Sequence, residues 1–263
     1  MITPAEIKLN NSIIFGTFFR NVESEDGKIV YRGDTAICRN DIYFPDVIDF
    51  LDNKYKNTSK VNVVMHACSD GEEAYSFLSV LLAQLKEKAA KFLPLDARDI
   101  DLNHLRLAKR GIYNITKSEY EIANESLNGN FYMFFEPMPS LGSKDPRLKY
   151  TKTVKVEHSL KSLVKFKQAD IIEDVKHMDL KNTILFARNF WPYLPTNRVV
   201  ELADLLSEKA DNSFTLIIGD YDRVIVDLLR DKGFVEIAEN IFEKPKNLEY
   251  DSRIYDYEYN SIY

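Results

Sequence analysis

The sequence is poor in cysteine and contains no long hydrophobic run. Only two cysteines, Cys38 and Cys68, occur among its 263 residues, and they form no C-x-x-C pair. This argues against a zinc ribbon or a thioredoxin-type site and is typical of a protein with reduced thiols. No apolar run approaches the roughly 20 residues that span a bilayer, and no signal-peptide pattern opens the chain. We therefore expect a cytoplasmic protein that is not membrane-embedded.

An excess of basic residues is also lacking. The formal net charge is −6, which disfavours nonspecific binding to nucleic acid because such binding relies on basic patches. The four histidines, His66, His104, His158 and His177, show no metal-ligand spacing, so we expect no metal site. Apolar residues make up 45% of the chain, which is enough for a substantial core.

Predicted strands and helices alternate along most of the chain. The strand candidates are 61–67, 93–100, 152–156, 163–168, 182–187, 213–219 and 234–241. Helical patterns open at Pro45 and cover 73–92, 103–110, 118–128, 196–209 and 221–232. This alternation predicts an α/β fold with a doubly wound, mostly parallel sheet and a small β insertion.

The expected organisation has three parts. Residues 1–55 form an N-terminal segment with a predicted hairpin at Asp26-Gly27. Residues 56–248 form the main domain, with the irregular β insertion near 129–160, and residues 249–263 form an acidic, aromatic tail. We see no internal repeat and no low-complexity linker.

Polar residues follow three of the predicted strands. They are Ser69–Glu73, Asp99–Asp101 and Arg188–Asn189. Since the carboxyl ends of parallel strands share one edge of the sheet, we expect these three segments to meet. The first segment has one glycine, so it is neither a G-x-G-x-x-G fingerprint nor a Walker loop. Its acids favour a cationic ligand group, and Asp99 suits a ribose diol, which together suggest S-adenosylmethionine.

Structural explanations of the same acids stay open. Glu72 and Glu73 lie at the start of a helix, where the helix dipole favours negative charge. Asp101 could serve only as the N-cap of the next helix. Helix capping can explain the polar residues of any one segment, but it explains those of all three segments together less well.

Four motifs, in order, resemble those of the CheR family of chemoreceptor glutamate methyltransferases. The motifs are Phe18-Phe-Arg20, Ala67-Cys-Ser-Asp-Gly-Glu-Glu-Ala-Tyr-Ser76, Asp99-Ile-Asp through Gly111-Ile-Tyr113, and Leu185-Phe-Ala-Arg-Asn-Phe-Trp-Pro-Tyr-Leu194. The resemblance covers roughly residues 12–240. It implies S-adenosylmethionine as cofactor and a protein substrate, such as the cytoplasmic region of a chemoreceptor.

The resemblance also implies the site residues. Cofactor contacts are expected at Ser69, Gly71, Glu73, Asp99, Ile100, Asp170, Ile171, Arg188 and Asn189. Glu73 and Asn189 would face the amino-acid end, Asp99 the ribose, and Asp170 the adenine amino group. Arg20 and Tyr193 are the catalytic candidates, which would orient the acceptor carboxylate. Without the motifs, Arg20 would be read as a surface ion pair and Tyr193 as a half-buried aromatic residue.

The chain departs from the family pattern at several positions. The family's Asn and Thr before Phe-Phe-Arg appear as Ile14 and Gly16, and its Asn-Leu pair appears as Asp170-Ile171. The family's small helical N-terminal domain is not seen ahead of the expected catalytic domain. Two alternatives therefore stand beside glutamate methylation. One is a cofactor-binding or scaffold protein that has lost transfer activity, and the other is a methyltransferase with a different acceptor.

Overall fold

The computed structural model describes residues 22–23, 29–30, 36–38, 41–139 and 152–246. This part of the chain contains the strands β1 (Val22–Glu23), β2 (Ile29–Val30), β3 (Asn62–His66), β4 (Leu95–Asp99), β5 (Ile112–Ile115), β6 (Phe135–Met138), β7 (Lys152–Val156), β8 (Val164–Gln168), β9 (Thr183–Ala187), β10 (Thr215–Ile217), β11 (Val235–Ala238) and β12 (Ile241–Glu243). Its α-helices are α1 (Phe44–Lys54), α2 (Glu72–Leu85), α3 (Leu102–Arg110), α4 (Lys117–Ser126), α5 (His158–Lys161), α6 (Ile171–His177), α7 (Thr196–Lys209) and α8 (Val226–Asp231).

Seven strands form the central sheet in the order β11-β12-β10-β9-β3-β4-β8. The strands from β10 to β8 in this order are parallel, whereas β12 runs antiparallel to both β10 and β11. The chain enters at β3, moves outward through β4 to β8, and then crosses to β9 on the other side of β3. The strand order thus reverses between β3 and β9, which is where doubly wound sheets bind ligands. The predicted fold class is confirmed.

The centre of the sheet is buried on both faces, and β9 shows this best because all five of its residues are buried. Ile184 and Phe186 join the apolar cluster that contains α1 and α2, whereas Leu185 belongs to the cluster that contains α6 and α7. A strand covered on both faces reads as a continuous apolar run, and this is why the sequence identifies it readily.

A second, three-stranded antiparallel sheet is inserted between α3 and β8. Its order is β5-β7-β6, and α4 lies between β5 and β6 in the chain. The rings of Phe131 and Phe135 stack in its core with their centroids 4.8 Å apart. The sequence predicts β7 and an irregular insertion here, but β5 and β6 are too short to stand out.

Two predicted elements are divided in the structure. The helix expected over 73–92 ends at Leu85, where Lys86 takes a positive φ of 53°, and a 3-10 helix covers Lys86–Phe92. The strand expected over 234–241 is the hairpin of β11 and β12, which turns at Asn240 with a φ of 62°. In both cases a residue with a positive φ breaks an apolar pattern that continues across it.

Two short strands of the predicted N-terminal hairpin are described. β1 and β2 pair antiparallel with Val22 opposite Val30, whereas the predicted turn at Asp26-Gly27 lies outside the described residues. The tail from Glu249 lies outside the described residues. Among the helices of the described ranges, none combines the length and the apolar character that crossing a membrane would need.

Candidate functional site

The loop between β3 and α2 turns sharply at the carboxyl edge of the sheet. Ala67, Ser69 and Gly71 all have positive φ angles, of 55°, 48° and 85°. A Cβ atom at Gly71 would lie 2.8 Å from Cβ of Ala108 in α3, so both the backbone angle and the space require glycine there. The loop is therefore pressed against α3, and its polar groups face the neighbouring strand ends.

Asp99 joins this loop to the next one. Its Oδ2 accepts the backbone N–H of Ser69 at 2.8 Å, and its Oδ1 accepts the backbone N–H of Asp101 at 2.8 Å. The residue is only 7% exposed. Burial raises the pKa of Asp99, although both backbone donors act in the opposite direction. Asp99 thus has a structural task at the place where the sequence predicts a ribose contact.

Asp101 and His104 line the same edge from the start of α3. Oδ1 of Asp101 accepts the N–H of Asn103 at 2.7 Å, so Asp101 does cap the helix. Nδ1 of His104 pairs with Oδ1 of Asp70 and lies 3.3 Å from Oγ of Ser69. The hydrogen bond to Asp70 raises the pKa of His104, against the lowering effect of burial. This histidine ties α3 to the acidic loop, a role that the sequence did not reveal.

Arg188 lies between two carboxylates beyond the end of β9. Its Nη1 is 2.7 Å from Oε2 of Glu73, and its Nη2 is 3.1 Å from Oδ2 of Asp41. The residue is only 4% exposed. The N–H bonds of Arg188 are not aligned with these acceptors, and its Nε has no hydrogen-bond partner among the described residues. Buried polar groups without a hydrogen-bond partner are rare in folded proteins, which makes Arg188 a candidate ligand contact.

Asn189 is held in the left-handed region beside this arginine. Its φ is 58°, and its Nδ2 donates to Oδ2 of Asp41 at 3.0 Å. Its backbone N–H donates to Oδ2 of Asp222, which is fully buried. Burial raises the pKa of Asp222 to about 7, although backbone donors oppose the rise.

The loop after β8 brings Asp170 to the same edge. Its Oδ1 accepts the N–H groups of Ile172 at 2.9 Å and Glu173 at 3.2 Å, which caps α6. Nη2 of Arg198, from α7, lies 2.8 Å from its Oδ2. Next to it Ile171 is 8% exposed.

Gln168 connects this loop to the one after β4. The side-chain amide of Gln168, the last residue of β8, donates to the carbonyl of Ile100 at 2.9 Å. The segments that carry the expected ribose and adenine contacts are therefore linked.

Of the two catalytic candidates, Tyr193 and Arg20, only Tyr193 lies among the described residues. Tyr193 is half-buried in the 3-10 helix Trp191–Tyr193, on the loop that also carries Arg188. Arg20 lies outside the described residues. The expected meeting of the three polar segments is confirmed, because Ser69 contacts Asp99 and Glu73 contacts Arg188.

Four residues of this edge were missed. They are Asp41, His104, Arg198 and Asp222. Asp222 could have been found, since it follows β10 just as the other polar segments follow their strands. Asp41 precedes α1 and follows no strand of the sheet, so no rule of strand ends points to it. Among the described residues, no group of His, Cys, Asp or Glu side chains could hold a metal ion.

Comparison with known proteins agrees with the geometry. The sequence profile described as the SAM-binding domain of CheR methyltransferase matches residues 34–236. No curated protein matches the chain. The strand order, the ligand-binding edge and this match define an S-adenosylmethionine-dependent methyltransferase, with S-adenosylmethionine as its cofactor. Because the match spans well over half of the chain, the protein belongs to the CheR methyltransferase family.

Several solved structures are similar to the chain. Magnesium protoporphyrin IX methyltransferase from Synechocystis PCC 6803, with bound SAM, is 16% identical over 78% of this chain and 76% of its own, with a TM-score of 0.37. Precorrin-6y C5,15-methyltransferase from Geobacter metallireducens GS-15 is 10% identical over 78% and 80%, with a TM-score of 0.38. A SAM-dependent methyltransferase from Archaeoglobus fulgidus is 12% identical over 73% and 70%, with a TM-score of 0.36. Scores this low add nothing about the substrate.

Proposed function

We propose that this methyltransferase transfers its methyl group to a glutamate carboxylate of a protein. The observation that supports the site is the buried cation of Arg188 between Glu73 and Asp41. The methionine end of the cofactor carries one ammonium and one carboxylate group. Glu73 and Asp41 suit the ammonium group, whereas Arg188, whose Nε has no hydrogen-bond partner in the described part of the chain, suits the carboxylate.

The nucleoside half of the cofactor would lie over the ends of β4 and β8. We assign the ribose to Asp99 together with Asp101, because both oxygens of Asp99 already accept a backbone N–H. Ile100 and Ile171 would cover the adenine, with Asp170 beside its amino group. Ser69 and Gly71 would shape the loop that the sulfonium approaches.

Methyl transfer to a carboxylate depends more on how the acceptor is positioned than on acid–base catalysis. When bound, the cofactor supplies a methyl group on a sulfonium, and displacement forms a methyl ester while the sulfur keeps the electron pair of the broken bond. A glutamate is already ionised at neutral pH, so no general base is needed. The protein must hold the acceptor oxygen in line with the methyl and the sulfur. We assign that orienting role to Arg20 and to the hydroxyl of Tyr193.

A methyl-transfer assay tests the acceptor. The protein is incubated with S-adenosylmethionine carrying a tritiated methyl group and with the purified cytoplasmic region of a chemoreceptor. Base-labile, volatile counts are expected, and they should disappear when the acceptor glutamates are changed to glutamine. Persistent counts after that change would contradict glutamate as the acceptor.

Binding of S-adenosylhomocysteine, measured by calorimetry, separates the alternatives. Binding without transfer to any chemoreceptor would favour a cofactor-binding protein that has lost activity. Base-stable counts in another protein or in a small molecule would favour a methyltransferase with a different acceptor. No heat at high ligand concentration would contradict the cofactor site itself.

A further inference from the structure

The loop after β10 carries a motif, Gly219-Asp-Tyr-Asp222, that the proposed reaction does not yet use. β10 is the parallel neighbour of β9, with Ile217 opposite Phe186. The end of β10 therefore lies beside the loop that carries Arg188 and Asn189. Two residues of the motif, Gly219 and Asp222, contact that loop directly.

The carboxylate of Asp222 binds backbone N–H groups of the neighbouring loop. The carboxylate is fully buried and accepts N–H groups from Asn189 and from Trp191, the latter at 3.2 Å. It also accepts the N–H of Gly219 at 2.8 Å, which closes its own turn. The residue that it grips, Asn189, has the left-handed φ of 58°. A non-glycine residue keeps a left-handed backbone conformation only where the surrounding structure holds it in place.

Gly219 makes room for the side chain of the same asparagine. A Cβ atom at Gly219 would lie 2.0 Å from Oδ1, 2.4 Å from Cγ and 2.8 Å from Nδ2 of Asn189. The φ of Gly219 is −102°, which any residue can adopt. Glycine is therefore needed here for space and not for its backbone freedom. The three atoms nearest to such a Cβ all belong to the side chain of Asn189, so alanine at this position would collide with it.

We propose that Gly219 and Asp222 are positioning residues that seat Asn189, and with it Arg188, at the amino-acid end of the cofactor. The carboxylate of Asp222 accepts the backbone N–H of Asn189 and fixes it in place. Gly219 leaves the space into which the side-chain amide of Asn189 packs. The amide then reaches Asp41, the acid that also pairs with Arg188. This proposal rests on the proposed cofactor site, but it does not depend on which acceptor is methylated.

A double-mutant cycle on the affinity for S-adenosylhomocysteine tests the role of Gly219. Gly219→Ala should weaken binding at least tenfold, as should Asn189→Ala. In the Asn189→Ala background the three colliding atoms are gone, so adding Gly219→Ala should change the affinity less than twofold. Equal losses in both backgrounds, or no loss from Gly219→Ala alone, would overturn the proposal.

Matched variants separate positioning from folding. Gly129→Ala meets no atom within 4 Å but has an unfavourable φ of 83°, so it should lower stability and leave the affinity unchanged. Asp222→Asn turns one amide N–H toward a backbone donor. It should raise KM for S-adenosylmethionine more than tenfold with a smaller change in kcat. Asp220→Asn, an exposed change two residues away, should alter neither constant.

The outcomes also distinguish the two proposals. If the wild-type protein binds S-adenosylhomocysteine and the Gly219→Ala variant binds equally well, only the positioning role fails. If the wild-type protein binds none, the cofactor site fails and the positioning role fails with it. If Asp222→Asn lowers kcat alone, the carboxylate does not act through the cofactor's amino-acid end.

Discussion

Replacing Arg188 by methionine should be among the most damaging single changes in this protein. The substitution keeps much of the side-chain volume but leaves Glu73 and Asp41 facing each other, with their side chains only 13% and 14% exposed. Breaking a buried ion pair by removing one partner costs about 3–5 kcal/mol, because an uncompensated charge stays buried. We expect a loss of that size in the free energy of unfolding, measured by urea denaturation at pH 7.

A surface arginine is the control for this change. Arg230 pairs with Asp227 and Glu236, and its side chain is 48% exposed, so Arg230→Gln should cost less than about 1 kcal/mol. Neutralising the acids as well, in the triple variant Arg188→Met, Glu73→Gln and Asp41→Asn, should recover part of the lost stability. A loss below about 1 kcal/mol for Arg188→Met, or no recovery in the triple variant, would refute this electrostatic account.

Three further changes test other parts of the edge. Asp99→Asn turns an amide N–H toward a backbone donor, so it should cost about 1–3 kcal/mol of stability. The same change should weaken binding of S-adenosylhomocysteine. An unchanged affinity would contradict the assignment of Asp99 to the nucleoside. Asp70 raises the pKa of His104 above its unfolded value near 6.5, so their pair stabilises the fold below about pH 6.5 and loses this effect as pH rises through the folded pKa. Asp70→Asn should therefore destabilise at pH 5.5 and not at pH 9, and an equal effect at both would count against the pair. Gly71→Ala should cost more than about 2 kcal/mol. Ala108→Gly in the same protein should relieve only the contact with Cβ of Ala108, because the close contact with Phe166 and the strain of the positive φ remain.

One rule predicts from the sequence which segments meet at this edge. Polar residues that follow parallel strands meet at one edge, and this brought Glu73 to Arg188 although the two are far apart in the chain. The same rule, applied to β10, would have found Asp222. It could not find Asp41, which reaches the edge from the segment before α1.

The remaining differences have local causes. Residues with a positive φ, Lys86 and Asn240, interrupt apolar patterns that otherwise continue, so one predicted helix and one predicted strand extend too far. The two backbone N–H groups that Asp99 accepts depend on how two loops fold over it, which no spacing of residues shows. The sequence could therefore identify the carboxylate of Asp99, but it could not show that both of its oxygens accept backbone N–H groups of the protein.

The crossover from β8 to β9 also governs when the site can form during synthesis. Asp41, Glu73 and Asp99 leave the ribosome before the crossover, whereas Arg188 and Asp222 come after it. The first half of the edge thus emerges as a group of acids without Arg188, the residue that later pairs with Glu73 and Asp41. A nascent chain that ends before β9 cannot form these pairs, so this edge of the sheet is completed late in translation, by the C-terminal half of the chain.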